Sequence, residues 1–415
     1  MQQHSRSLWI IFAILLVDTM GFGIVIPVLP KLVEHMLGGA VGRASTVYGL
    51  LLASFSLMGF LFSPVMGALA DRFGRRPILS LSLLGLTVDY VILANAPSVG
   101  WLFLGRIIAG IFSATVSVTS AYVADTSPPE KRVANFGFIG VGTGLGLISG
   151  PLLGGSLGLL GARAPFWAAA GLAAVNCAAA FFLLPESLKP EHRRRFRWRD
   201  ASPIGTFMIV AQTRVIVVLL AVAFLVNLAA QILLSTWVLY AGYRYGWGAF
   251  EAGSSVAAFG LLFAVSQVVL VRILVHRIGE WRMLLFGLVL ATASYLVFAF
   301  AAHPWEMSLN ILPYAIASGI SGPALQALAT HNMPVDQQGL LQGAMASLVT
   351  ATGVIGPPIG AFLFSYFISP DRPFNFPGAA FVLAAALTFL ALAVIEGYRN
   401  SIPHEPHPGG DGGAG

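Results

Sequence analysis

Three ionisable side chains lie deep inside apolar stretches of this sequence, where a charge is costly. Asp18, Asp89 and Arg106 lie roughly 10 to 17 Å from the first residues of their stretches, at about 1.5 Å per helical residue. Such a group costs about 2.5 to 3.5 kcal/mol inside a membrane, so it is a candidate functional group. We expect Asp18 or Asp89 to bind and release a proton while Arg106 changes the affinity of the acid. The alternative is a static buried ion pair that orients helices.

The composition is typical of an integral membrane protein. The chain has 415 residues, of which 57% are hydrophobic and 10% are charged, and a mean hydropathy of +0.82, whereas soluble domains carry roughly 25% charged residues. The net charge of +6 lies in loops between apolar runs, which argues against a nucleic-acid partner. The single cysteine, Cys177, excludes an internal disulfide framework, and no residue pattern predicts a metal site.

The apolar residues form twelve segments, each long enough or nearly long enough to cross a bilayer as a helix. The first follows Arg6 but is too long for a signal peptide, has no small-x-small cleavage site and contains Asp18, so we expect it to be retained. The segments are 8–29, 46–69, 78–95, 99–124, 133–158, 164–184, 214–240, 250–275, 282–302, 305–330, 338–367 and 376–398.

An even number of crossings places both termini on one side of the membrane. If alternate loops are assigned to alternate sides, 17 of the 23 Lys and Arg residues fall on the side of the termini, five fall on the other side, and Arg106 is intramembrane. Because positive residues accumulate in cytoplasmic loops, both termini are predicted to be cytoplasmic in the inner (plasma) membrane.

The chain repeats itself with an offset of about half its length. An offset of 206 residues aligns Gly150-Pro151-x-x-Gly154 with Gly356-Pro357-x-x-Gly360. The sequence therefore predicts an all-α membrane protein of two pseudo-symmetric six-helix halves, with a substrate site near the midplane between them. The predicted divisions are an N-terminal half, 1–184, a cytoplasmic linker, 185–213, a C-terminal half, 214–402, and a disordered Pro- and Gly-rich tail, 403–415.

A short charged turn separates the second and third segments. Asp71 is placed to cap the helix that follows or to pair with Arg75, and glycines allow the backbone to bend and approach its neighbours closely. An ordinary positive-inside loop would explain the charges but not the fixed spacing of Asp and Gly. The residues concerned are Gly67, Asp71, Arg72, Gly74, Arg75 and Arg76.

The fifth segment carries glycines at four-residue spacing. Gly142, Gly146, Gly150 and Gly154 share one helical face, and Pro151 lies among them. A stripe of small residues lets another helix approach very closely. A nucleotide-binding loop is excluded here, because G-x-G-x-x-G is never completed and the stretch lies in an apolar span.

These motifs together resemble the major facilitator superfamily, and over nearly the whole chain they are most similar to its tetracycline-resistance efflux proteins. The turn is similar to the signature between helices two and three, Arg106-x-x-x-Gly110 to the fourth-helix signature of drug:proton antiporters, and the Gly146–Gly154 stretch to the antiporter motif of helix five. The resemblance implies exchange of a cytoplasmic drug, a tetracycline chelated to a divalent metal, for an external proton, with no resident cofactor. Asp18, Asp89 and Arg106 match the membrane charges of that family. Its cytoplasmic gate matches Asp71, Arg72, Arg75, Arg76 and Asp125.

Two positions depart from the family pattern. Well-known tetracycline exporters carry a histidine in helix eight and an acid in helix nine, where this chain has Phe263 and Ala291. The C-terminal half offers polar and aromatic groups that suit an uncharged or cationic aromatic compound, although each could equally be a packing or lipid contact. These substrate-binding candidates are Asn227, Gln231, Trp237, Phe263, Gln267, Tyr295 and Gln326.

The sequence thus predicts a proton-coupled exporter of tetracycline-like or other amphipathic drugs. It is expected to be a monomer in the lipid bilayer and not an enzyme, because no nucleophile, metal or redox cluster is evident. The alternative is a proton-coupled or facilitative transporter of a metabolite on the same fold, since fold alone does not fix function.

Overall fold

The computed structural model describes residues 2–188, 191, 193, 214–334, 337–372 and 374–399, and the regular structure in these ranges is helical. The predicted tail lies outside the described residues, and so does most of the predicted linker. The helices of the N-terminal half are α1 (Gln2–Val25), α2 (Leu29–Met36), α3 (Val41–Phe73), α4 (Arg75–Asn95), α5 (Val99–Ile111), α6 (Thr115–Thr126), α7 (Pro129–Gly158) and α8 (Ala164–Leu183).

The C-terminal half begins at Arg214 in the described part of the chain. Its helices are α9 (Arg214–Tyr245), α10 (Ala249–Val265), α11 (Val271–Phe300), α12 (Pro304–His331), α13 (Gln338–Phe367) and α14 (Ala379–Gly397), and a π-helical turn, Ser266–Leu270, joins α10 to α11.

The described residues form twelve membrane crossings, as the sequence predicts. Eleven candidate spans satisfy length and hydropathy in the described residues, but the span Ala249–Phe300 is 52 residues long. At about 1.5 Å per residue it would be far longer than a bilayer is thick. Gly279 interrupts it with a φ of 75°, a left-handed conformation that favours glycine. This span is therefore two crossings that meet at a turn.

Two predicted segments are broken rather than continuous. The first ends at Val25 instead of 29, and α2 follows as a separate short helix because Pro27 has no amide hydrogen to continue the ladder. The fourth is interrupted between α5 and α6, where the Ser113 hydroxyl donates to the Gly110 carbonyl at 2.7 Å. Such a local bond competes with the helical ladder.

Corresponding helices of the two halves pack in corresponding ways, which confirms the predicted repeat. In the N-terminal half α7 packs along α1, and in the C-terminal half α13 packs along α9. A Cβ at Gly154 would lie 2.3 Å from the Ile24 carbonyl oxygen, and a Cβ at Gly360 would lie 3.0 Å from that of Ile232. The repeated glycines thus bring the backbones together at equivalent places.

Among the described residues, the two halves share an apolar core at one end of the bundle. We call the end that carries the turn Asp71–Arg76 the basic end and the opposite end the far end. Toward the far end one apolar core is shared by both halves, including Ile24 and Leu51 of the first half and Leu239 and Phe364 of the second. Toward the basic end each half has its own separate core.

The contacts along α7 show where the halves diverge. Gly155, Pro151 and Ile148 lie on one helical stripe and contact α10 at Ala249, Gly253 and Gly260. The same stripe continues to Gly144 and Gly140, where a Cβ would meet nothing within 4 Å. The space between the halves is therefore closed at the far end and open toward the basic end.

Candidate functional site

Asp89 and Arg106 form a buried ion pair between α4 and α5. Asp89 is fully buried and Arg106 is 3% exposed, and the Arg106 guanidinium donates a hydrogen bond to Asp89 Oδ2. The guanidinium also lies 5.7 Å from the ring centre of Phe55 on α3. Gly105 is required here, because a Cβ would lie 2.6 Å from Asp89 Oδ1. The pair neutralises itself and joins three helices of one half.

Asp18 lies in a different environment on α1. Its side chain is half-buried, and its Oδ1 atom is enclosed with no hydrogen-bond partner among the described residues. It faces Thr115 at the start of α6, and the ion pairs found in the described chain do not include it. Of the three predicted groups, Asp18 is thus the acid whose charge is not fixed by a partner.

Tyr90 links the two environments. Its hydroxyl oxygen lies 3.2 Å from the position of a Cβ at Gly21, one turn beyond Asp18, and its ring is near enough to Asp18, Asp89 and Arg106 to interact with each charge. All three predicted groups therefore face the protein interior of the N-terminal half and not the lipid. Tyr90 was not among the predicted site residues, although it directly follows Asp89.

The turn at the basic end is tied to three other segments. Arg75 pairs with Asp71 at 2.5 Å and with Asp125 at 3.0 Å, which agrees with the predicted Asp71–Arg75 pair. Arg76 donates to the Phe181 carbonyl oxygen on α8 and lies over the Phe181 ring. Asp71 does not cap α4, which was the alternative expectation.

Glu186 caps α4 and was not among the predicted site residues. It accepts hydrogen bonds from the backbone amides of Arg75 at 2.9 Å and Arg76 at 3.2 Å. A carboxylate at a helix N-terminus satisfies free N–H groups and the helix dipole. Gly74, with a φ of 111°, makes room for it, because a Cβ there would lie 2.3 Å from Glu186 Oε2. The signal was the Arg-Arg-Pro start of α4, which places positive charge where an acid is needed.

The two remaining residues of the turn lie outside this network. Arg72 stacks on the neighbouring ring of Phe73 at 5.0 Å. Gly67 lies on the face of α3 toward the second half, and a Cβ there would meet nothing within 4 Å. Gly67 therefore borders the open space between the halves.

The glycine motif of α7 joins both halves. Gly146, Gly150 and Gly154 lie against the backbone of α1 at Leu16, Met20 and Ile24. On the other face of α7, the Pro151 carbonyl oxygen would lie 2.3 Å from a Cβ at Gly253 of α10. The motif thus lets α1 and α10, a helix of the opposite half, pack on two faces of the same turn of α7.

The substrate-binding candidates divide between two cavities. An apolar cavity of about 180 Å³ lies toward the far end and is lined by Trp237, Phe259, Tyr314 and Ser255, with Ile26 from the first half. The Trp237 Nε1–H donates to Ser255 Oγ at 2.9 Å, which fixes the indole ring. We call this the aromatic cavity.

Side-chain amides gather in a second cavity nearer the basic end, about 610 Å³ in volume. It is lined by Asn227, Gln267 and Gln326 among the predicted candidates and also by Gln342, which is not one of them. We call this the amide cavity.

Three candidates line neither cavity. Tyr295 is fully buried and its hydroxyl lies 3.1 Å from that of Tyr314, so it supports a lining residue from behind. Gln231 packs on α13, because a Cβ at Gly356 would lie 2.6 Å from the Cβ of Gln231. Phe263 packs beside Phe259 with tilted rings, at 5.7 Å between ring centres. These positions correspond to the packing role that the sequence left open as the alternative.

A helical bundle of two repeated halves, with charges buried in one half and cavities open toward one end, has the architecture of a secondary transporter. A family model described as the Major Facilitator Superfamily matches residues 11–357. The chain belongs to the Major Facilitator Superfamily, and the protein is an integral membrane protein.

Characterised relatives of high similarity are tetracycline resistance proteins. The class C protein of Escherichia coli is 37% identical over 394 residues, covering 95% of this chain and 97% of that protein. The class B protein of Escherichia coli is 34% identical, covering 87% of this chain and 89% of that protein. The multidrug resistance protein 2 of Bacillus subtilis is 28% identical, covering 92% of this chain and 94% of that protein.

Solved structures show the same fold. The human organic anion transporter MFSD10 has a TM-score of 0.69 at 26% identity and covers 94% of this chain and 99% of its own. A bacterial homologue of the lysosomal transporter Spinster has a TM-score of 0.76 at 17% identity, covering 96% and 97%. The second likeness bears on the fold alone.

Proposed function

We propose that this protein is a proton-coupled antiporter that exports tetracycline-like or other amphipathic drugs from the cytoplasm by alternating access. The observation that carries the proposal is the contrast between Asp18, half-buried and without an ion-pair partner, and the self-neutralised pair of Asp89 and Arg106. An acid whose charge is not fixed can load and release a proton.

The shape of the space between the halves supports alternating access. It is sealed at the far end, where the halves share an apolar core, and open at the basic end, where they have separate cores. The excess of Lys and Arg makes the basic end the cytoplasmic one. In this state a drug enters from the cytoplasm, and both termini lie on that side.

The energy supply is adequate without a resident cofactor or metal. One proton that crosses about 100 mV provides roughly 2.3 kcal/mol, which sustains about a fiftyfold drug gradient before any pH difference is added. Each half contributes to one closed bundle, so we expect a monomer to be sufficient. Any divalent metal would belong to the substrate, as in a chelated tetracycline, and not to the protein.

The test compares Asp18→Asn with the wild-type protein in a host that lacks its own efflux pumps. Minimum inhibitory concentrations of tetracyclines, other antibiotics and cationic dyes are expected to rise with the wild type and to fall to the empty-vector level with Asp18→Asn. Western blotting of membranes controls for expression. If no compound distinguishes the wild type from the vector, drug export is the wrong function and metabolite transport takes its place.

A further inference from the structure

The amide cavity is polar but carries no formal charge. Its lining includes the side chains of Asn227, Gln267, Gln326 and Gln342, and none of the described residues that line it is acidic, basic or a histidine. Its volume of about 610 Å³ lies within the range of roughly 300 to 1,000 Å³ typical of small-molecule sites. The cavity can therefore hold a polar molecule without offering it a counter-ion.

The amides are available to a ligand. In the part of the chain that the structure describes, no hydrogen bond engages the side-chain amides of Gln267, Gln326 or Gln342, and Asn227 donates only to the Ala223 carbonyl at 2.9 Å. Gln267 and Gln342 are exposed, and Asn227 and Gln326 are half-buried, so water can hydrogen-bond to these amides when no ligand is bound. A polar ligand that replaces this water can pair with several amides around one cavity at once.

A local distortion of the helix places Gln267 in this cavity. The π-helical turn Ser266–Leu270 inserts a wider turn into the eighth crossing, and single π turns occur frequently at functional sites. Gly319 on α12 accommodates it, because a Cβ there would lie 2.7 Å from Ser266 Cβ and 3.2 Å from the Phe263 carbonyl oxygen. Without the wider turn, Gln267 would be rotated to a different position on the helix face.

We propose that the amide cavity binds an uncharged, hydrogen-bonding edge of the exported compound, and that the compound binds there free of metal. The proposal rests on the proposed export function and adds the form of the substrate. Each amide presents a donor and an acceptor side by side, which pairs with a carboxamide, an enolised diketone or neighbouring hydroxyl groups. A divalent chelate would bring positive charge into a partly desolvated site that offers no anion.

The aromatic cavity complements this assignment. It lies farther toward the closed end and presents Trp237, Phe259 and Tyr314 with little polar surface. An amphipathic compound matches this order of cavities: its fused-ring body fits the aromatic cavity, and its polar edge fits the amide cavity nearer the basic end.

The test measures tetracycline binding to the purified full chain by the change in tetracycline fluorescence, with EDTA or with excess Mg²⁺. The wild type is expected to bind in EDTA at least as tightly as in Mg²⁺. Gln267→Leu and Gln326→Leu are each expected to weaken binding about tenfold, the equivalent of one lost hydrogen bond. Gln231→Leu, the same change on a side chain that packs on α13 outside the cavity, serves as the control. Gln267→Glu should reverse the preference and favour Mg²⁺.

Binding that requires Mg²⁺, or that is unchanged by both amide variants, would overturn the assignment, and so would the absence of binding. Transport is read separately as uptake into proteoliposomes driven by a pH gradient. Binding as expected without proton-driven uptake would refute only the antiport function. Proton-driven uptake that stops in EDTA would refute only the metal-free form of the substrate.

Discussion

At the scale of single residues, the three intramembrane charges have two different surroundings. Arg106 and Asp89 are almost completely buried, and a hydrogen bond joins the Arg106 guanidinium to Asp89 Oδ2, whereas Asp18 faces the neutral side chains of Thr115 and Tyr90. A buried pair is sensitive to removal of one partner, because the other is left as an uncompensated charge. The pair should therefore govern stability, and Asp18 should govern proton exchange.

Removal of the arginine alone should unfold the N-terminal half at a lower temperature. For Arg106→Leu we expect a loss of about 3 to 5 kcal/mol in the free energy of unfolding, because Asp89 remains buried and unpaired. The double variant Asp89→Asn with Arg106→Leu should regain much of this loss. Thermal unfolding in detergent, followed by tryptophan fluorescence, measures both, with Arg372→Leu at the far end as a control. Equal losses in the single and double variants would contradict the expectation.

Glu186 should stabilise the turn at the basic end through its cap on α4. Glu186→Ala removes the acceptor for the Arg75 and Arg76 amides, with an expected cost of about 1 to 2 kcal/mol. Glu186→Gln keeps an acceptor oxygen and should cost less. The measurement is again thermal unfolding, with the exposed Glu396→Gln as the control. A larger loss in the glutamine variant than in the alanine variant would refute a capping role.

Local spacing allowed part of this turn to be predicted. Asp71 and Arg75 are four residues apart, so a helical geometry brings them together wherever the helix runs. Glu186 is separated from Arg75 by 111 residues, and no periodicity reports such a pairing. The same limit applies to Tyr90 and Asp18, which belong to helices whose mutual packing the sequence does not contain.

At the scale of elements, α7 is the helix that works on two faces. One face carries Gly146, Gly150 and Gly154 against α1, and the other carries Pro151 and Gly155 against α10 of the second half. Because a Cβ on the first face would overlap backbone atoms of α1, the packing there cannot yield by turning a side chain.

Two alanine substitutions on α7 should therefore behave differently. Gly154→Ala places a Cβ 2.3 Å from the Ile24 carbonyl oxygen and should destabilise the protein by about 1 to 3 kcal/mol. Gly144→Ala places a Cβ in open space and should be neutral or slightly stabilising in a helix. Thermal unfolding of the matched pair decides the matter. Similar losses at the two positions would show that glycine spacing does not determine this contact.

The twelve crossings could be predicted because hydropathy reports which residues face lipid or protein rather than water. The finer elements could not. The break at Pro27 was hidden by a continuous apolar run, and the π turn at Ser266 leaves no compositional trace. That π turn determines the helix face on which Gln267 lies. Regular helical spacing therefore could not predict that Gln267 lines the amide cavity while Gln231 does not.

At the scale of the whole molecule, the two halves are joined by one shared apolar core at the far end and diverge toward the basic end. The contacts of α3 with α13 follow the same gradient. Gly42 contacts Ser365 and Gly49 contacts Ala361. At Gly67, near the basic end, a Cβ would have no atom within 4 Å. In the opposite state of the transport cycle, the contacts at Gly42 and Gly49 must open and the space beside Gly67 must close.

A disulfide across the far end should stop transport by holding this state. A Cβ at Gly42 would lie 3.2 Å from Ser365 Oγ, so cysteines at the two positions would place the sulfur of residue 365 within reach of the side chain at residue 42. The pair Gly42→Cys with Ser365→Cys is introduced with Cys177→Ser, which removes the natural cysteine. Oxidation is expected to abolish drug uptake into everted vesicles and reduction to restore it, while each single cysteine variant remains active under both conditions. Continued uptake by fully cross-linked protein would mean that the far end need not open during export.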